Sequence, residues 1–108
     1  MVKPRMLIIL NRSPWAENWS FILEIAKKVA DKGEKTVVLH IQDACIAATI
    51  SEYSDKLADN NVEIYALSAD CESRGLTEKI GEKVKLIDYK QCVKLMMNEH
   101  EKIVSWTS

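Results

Sequence analysis

Three cysteines, Cys45, Cys71 and Cys92, offer the most chemistry in this chain. A thiol is a nucleophile only as its thiolate, so its neighbours decide whether it reacts. Cys71 is the first candidate. The spacing places it in the first turn of a helix opening at Ser68, where free backbone N–H groups and the helix dipole favour a negative sulfur. Arg74, three residues on, shares its face and adds positive charge, while Asp70 and Glu72 flank the thiol and oppose it. Cys45 follows Asp43 at the start of another expected helix and is the second candidate catalytic thiol. Cys92 falls in the apolar stripe of a last helix and reads as a small core residue.

Polar side chains gather where strands are expected to end. Asn11 and Ser13 follow the first apolar run, Asp43 the second, and Ser68, Asp70 and Arg74 the third. Ligands of open α/β sheets sit beyond the carboxyl ends of the strands, so these six residues form a candidate binding edge. The phosphate cradles are missing from it. There is no GxGxxG and no GxxxxGK[ST], and the first strand-to-helix loop has no glycine, which argues against a dinucleotide enzyme. His40 and His100 stand far apart with no Cys/His cluster around them, so no metal site and no cofactor is expected. No GxSxG elbow supports a serine nucleophile.

Positioning such residues takes strands and helices in alternation. Met6–Leu10, Thr36–Ile41, Val62–Leu67, Val84–Ile87 and Lys102–Trp106 are short apolar runs, the pattern of strands covered on both faces. The gaps leave room for helices, which predicts an α/β domain over 1–108 with a mainly parallel sheet. Ser13 and Pro14 suit the start of the first helix and Gly33 its end. Trp15, Trp19, Ile22, Leu23, Ala26, Val29 and Ala30 fall on one stripe of it. Phe21 and Ile25 widen that stripe to roughly 200°, against the ~100° a helix needs to pack on a sheet. Either the helix is deeply covered, or Trp19, Phe21 and Ile25 form a subunit interface. Asp43 is expected to cap a second helix from Ala44 toward Tyr53, with a break and a resumption up to Ala58 as the alternative. Ser68 is expected to open a third, and Tyr89–Glu99 to form the last, with Cys92, Val93, Met96 and Met97 on one face.

Bulk properties agree with a soluble domain. Of the 108 residues, 47% are hydrophobic and 29% charged, which excludes a disordered or collagen-like chain. Fifteen basic against sixteen acidic residues leave a net charge of -1, so no direct nucleic-acid surface is advertised. Met6–Leu10 is too short for a signal-peptide core or a membrane span. An odd number of cysteines without CxxC spacing reads as free thiols, and the expected address is the cytoplasm.

Four blocks carry a resemblance. They are Leu10-Asn11-Arg12-Ser13-Pro14-Trp15, Ile41-Gln42-Asp43-Ala44-Cys45-Ile46-Ala47-Ala48, the segment from Val62 through Asp70 and Arg74-Gly75-Leu76, and the ending from Ile87-Asp88-Tyr89 to Trp106. In this order they cover nearly the whole chain, and together they resemble the DsrH/TusB family of sulfur-relay proteins. The resemblance implies a three-layer α/β/α fold with a five-stranded, mainly parallel sheet. It also implies an oligomer with DsrE/TusD-like and DsrF/TusC-like subunits, passing persulfide sulfur toward a DsrC/TusE-like carrier. The sulfur then serves 2-thiolation of the tRNA wobble uridine or dissimilatory sulfur metabolism.

The cysteine positions depart from the family pattern. Where some members carry a first-helix cysteine this chain has a residue near Ile22, and the reactive position of the DsrE/TusD-like proteins falls on Leu67. That favours a mainly structural subunit, with Cys71 as an auxiliary thiol. Two alternatives stay open: an autonomous persulfide carrier using Cys71 or Cys45, and a small-ligand module using the Asn11, Ser13, Asp43 and Ser68 edge.

Overall fold

The computed structural model describes the backbone of residues 5–11, 16–97 and 100–106, and the side chains of 6–11 and 21–97. Ser13, with Pro14 and Trp15, and the side chain of Trp19 lie outside the described residues. Five strands form the sheet: β1 (Arg5–Leu10), β2 (Lys35–His40), β3 (Val62–Leu67), β4 (Val84–Ile87) and β5 (His100–Trp106). Their order is β4-β3-β2-β1-β5 and every neighbouring pair is parallel. Four α-helices connect them: α1 (Ala16–Asp31), α2 (Ser51–Asp59), α3 (Ser68–Ser73) and α4 (Tyr89–Met97).

The strand order fixes which face each helix covers. From β1 to β4 the chain steps in one direction, and it then returns past β1 to lay down β5. Right-handed crossovers therefore put α1, α2 and α3 on one face and α4 on the other. The cores agree. Ile8, Leu10, Val38, Ile64 and Ala66 pack with Ile22, Ala26, Tyr53, Leu57 and Cys71 on the first face. Leu7, Val37, Leu39, Leu67 and Ile87 meet Cys92, Leu95 and Met96 on the second.

Several elements end as their residues dictate. Gly33 closes α1 at φ +77°, a left-handed conformation that costs glycine little. There the N–H groups of Gly33 and Glu34 donate back to the carbonyls of Ala30 and Val29. Gly75, at φ +67°, closes α3 in the same way: Gly75 and Leu76 donate to Glu72 and Cys71. Leu76 then packs against the core, so Arg74-Gly75-Leu76 is a helix-stop motif with its apolar anchor. α4 opens on a reciprocal cap. The Gln91 N–H donates to Asp88 Oδ1 at 2.7 Å, and the Asp88 N–H donates to Gln91 Oε1 at 3.0 Å.

Three expectations need correcting. Between β2 and α2 the chain forms a 3₁₀ segment, Gln42–Thr49, with Ile41 in the capping position and no side-chain cap. Asp43 therefore caps nothing; its carboxylate is spent on Arg74. The small residues Ala44, Cys45, Ala47 and Ala48 are buried there, letting this tight segment press onto the sheet. On α1 the buried stripe is Ile22, Ala26 and Val29, with Leu23 and Ile25 half-buried and Ala30 exposed. On α4, Val93 and Met97 point outward, away from Cys92 and Met96. None of the described helices is long and apolar enough to cross a membrane.

Leu57, fully buried beneath α2, and Met97, on the outer side of α4, should respond oppositely to truncation. In urea denaturation Leu57→Ala is expected to cost about 3 kcal/mol, and Met97→Ala less than about 0.5 kcal/mol.

Candidate functional site

The carboxyl ends of β2 and β3 feed directly into the 3₁₀ segment and α3, and the two are tied together. Gln42 adopts φ +51°, which costs a non-glycine residue about 1–2 kcal/mol. Its N–H donates to Asp70 Oδ2 at 2.7 Å, which offsets that cost. Arg74 Nε donates to Asp43 Oδ1 at 3.1 Å, and its Nη1 reaches the Asp70 carbonyl and Ser73 Oγ, each at 3.3 Å. Asp43, Asp70 and Arg74 are thus brought together as a clasp in which Arg74 pairs with the Asp43 carboxylate and the Asp70 carboxylate is held by the Gln42 N–H. The Asp43–Arg74 pair is largely exposed, and such pairs contribute about 0.2–1 kcal/mol. Its effect is to fix the loop.

The remaining edge residues do not join the clasp. Ser68 begins α3 half-buried, and no side chain caps that helix. Asn11 is half-buried at the end of β1; its Oδ1 is buried and has no hydrogen-bond partner among the described residues. Ser13 lies outside them.

Under the clasp sit two thiols. Cys45 of the 3₁₀ segment and Cys71 of α3 are both fully buried in the first-face core. The Cys45 S–H faces the His40 carbonyl oxygen at 3.6 Å and also the Cys71 sulfur. Burial pushes the Cys45 thiol far up, with the Cys71 contact and Asp70 adding to it. Burial likewise raises the Cys71 thiol; the Cys45 contact and Arg74 pull the other way without winning, and Asp70 adds to the rise. Cys92, buried under α4 on the opposite face, is also raised by burial and by Asp70. All three of the chain's cysteines are free thiols held protonated.

One buried polar pair was not visible in the sequence as a pair. His40, at the end of β2, is fully buried against Tyr53 of α2. The Tyr65 carbonyl at 2.9 Å can only accept, so His40 Nδ1–H donates to it; Nε2 then accepts from the Tyr53 hydroxyl at 2.7 Å. Both rings are therefore neutral. Burial holds the His40 imidazole down to about 4, against a small opposing effect of the Tyr65 bond, and pushes the Tyr53 hydroxyl up.

A cavity of about 310 Å³ opens on the second face between the sheet and α4, lined by Tyr65, Ile87, Gln91, Lys94 and Leu95. Its Ile87 pairs in register with Leu67, the residue before Ser68, so the cavity opens near the candidate edge but on the opposite face of the sheet from the clasp. Among the described residues no three His, Cys, Asp or Glu side chains gather as a metal site. Of the interface expected on α1, only the Phe21 and Ile25 side chains are described. Phe21 is 48% exposed, but Ile25 is half-buried against the core.

Comparison with known proteins adds sequence and fold evidence. A family model described as DsrH like protein matches residues 12–102. Protein TusB of Escherichia coli strain K12 is 32% identical over 102 residues, covering 94% of this chain and all of that protein. The TusB protein of Pectobacterium atrosepticum is 35% identical over the same length and coverage. Among solved structures, the ychN protein of E. coli matches with a TM-score of 0.77 at 16% identity, over 98% of this chain and 100% of that one. A conserved protein of unknown function from Bacteroides thetaiotaomicron matches with a TM-score of 0.69 at 14% identity, over 94% of both chains. At such identities these two report the fold.

The His40 geometry predicts a pH dependence. Its folded value lies below the ordinary 6.5, so the unfolded chain binds the extra proton and stability falls as pH drops from about 6.5 toward 4. The full loss is about 3 kcal/mol. Urea unfolding of wild type and His40→Gln between pH 7 and pH 4 checks this: the wild-type slope should be clearly steeper, and equal slopes would contradict the pair's role.

Proposed function

The chain belongs to the family of DsrH-like proteins, and on that premise we propose that it is an accessory subunit of a sulfur-relay assembly in the cytoplasm. Its companions in that reading are DsrE/TusD-like and DsrF/TusC-like subunits, with a DsrC/TusE-like carrier downstream. The matching relatives are TusB proteins, which favours 2-thiolation of the tRNA wobble uridine over dissimilatory sulfur metabolism as the process served.

One observation carries the accessory role. Sulfur relay needs a thiolate that attacks the outer sulfur of a donor persulfide, forms a new persulfide and releases the donor as its thiolate. Such a cysteine is accessible and low in pKa. Here all three thiols are buried and raised. Cys71, best placed by sequence, lies under the Asp43–Arg74 clasp instead of at a surface. The chemistry then belongs to a neighbouring subunit, and this chain contributes shape.

Intact-mass analysis after incubation with a persulfide donor tests the reading. The native chain is expected to gain no sulfur on any cysteine, while a companion subunit in the same assembly gains about 32 Da per persulfide. A stable adduct on this chain that disappears in Cys71→Ser or Cys45→Ser would establish it as a carrier in its own right.

A further inference from the structure

The two faces of the sheet are unequally covered. Three helices and the 3₁₀ segment lie on the first; among the described residues only α4 lies on the second. Strands about 4.8 Å apart and about 20 Å long present a face of roughly 450–500 Å². A nine-residue helix is about 14 Å long and about 10 Å wide. Yet Leu7, Val37, Leu39, Leu67 and Ile87 on this face are all at most 7% exposed, so the open apolar surface here is the outer side of α4 and not bare sheet.

α4 is also apolar on more than its buried side. Tyr89, Val93 and Met97 repeat every fourth residue along one flank and are 63%, 53% and 81% exposed. The cavity lined by Tyr65, Ile87 and Leu95 opens along the other flank, about 200° of helix rotation away. Between the two flanks, opposite the buried Cys92, the crest carries Lys90 and Lys94. α4 has no acidic residue, and Asp88 just before it is occupied as the cap. Lys85, beside Tyr65 in the strand register, adds a third exposed cation. None of the three lysines has a carboxylate partner among the described residues, a state they share with Lys27, Lys28, Lys32 and Lys79; what sets them apart is that they stand together between two apolar flanks. α1 differs: exposed Phe21 is followed one and two turns on by the charged residues Glu24 and Lys28, an ordinary surface.

We propose that α4 is the docking ridge of this chain, and that its occupant is a partner subunit whose surface sets carboxylates between apolar side chains. The carboxylates would meet Lys90, Lys94 and Lys85; the apolar side chains would cover the Tyr89–Val93–Met97 flank and fill the cavity on the other. A second copy of this chain is a poorer fit, because α4 meeting α4 would oppose lysine to lysine. The inference rests on the accessory-subunit reading and names the surface that reading requires.

Co-expression with the DsrE-like and DsrF-like proteins of the same source, followed by native purification, tests it. V93E/M97E should reduce the recovered partner at least about tenfold. K90E/K94E should reduce it similarly at low salt, with K90R/K94R restoring it and F21E leaving it unchanged. All these side chains are exposed, and thermal unfolding of each variant alone checks that it folds. A complex that survives both α4 variants, or a wild-type chain that pairs with itself through α4, would overturn the assignment. A wild-type chain that binds neither companion would sink the proposed function as well, so the two failures read differently.

Discussion

Right-handed crossovers and one reversal in strand order impose an asymmetry from which the other features follow. Laying β1 to β4 side by side commits three connections to one face. Returning to β5 leaves one connection for the other. The first face is thick enough to exclude water, and everything polar or reactive within it must find a partner or stay neutral. The second is covered by α4, whose outer flank exposes Tyr89, Val93 and Met97.

Neutrality is the common answer on the thick face. His40 and Tyr53 share one hydrogen bond with neither ring charged. Cys45 and Cys71 keep their protons for the same reason, because a thiolate there would lose its hydration with too little in exchange. Among the described residues Arg74 is the cation that acts to favour a thiolate at Cys45 and Cys71, and its guanidinium is turned to Asp43 and the Asp70 carbonyl. The clasp thus closes the loops over the thiols and diverts the charge that would activate them. On the accessory-subunit reading proposed above, this residue set works as a lid over buried thiols.

Much of the architecture was legible because buried parallel strands must be apolar on both faces, which leaves runs such as Met6–Leu10 and Val62–Leu67 in plain view. Gly33 and Gly75 marked helix ends, since the left-handed backbone they adopt is costly for other residues. What escaped depends on contacts between distant parts of the chain. Asp43 looks like a cap from its neighbours, and only the fold brings Arg74 to it. Cys71 does sit in a first helical turn, but sequence cannot say that α3 is pressed under a clasp. Periodicity marked α4 as amphipathic without telling which apolar residues face inward, so Val93 and Met97 fell on the wrong side. His40 and Tyr53 carried no joint signal at all.

Both sides expose apolar residues, Phe21, Ile46, Ile50 and Leu86 on the first and Tyr89, Val93 and Met97 on the second. Only those on α4 combine with a lysine crest and a cavity, and in the proposed assembly they are what a partner subunit covers. Hydrogen–deuterium exchange of the chain alone and in its native assembly tests this most directly. Amides of Tyr89–Met97 and of β4 should slow markedly on assembly, while those of Gln42–Asp59 and Ser68–Leu76 stay as they were. Protection appearing on α1 instead, with α4 exchanging as fast as in the free chain, would contradict it.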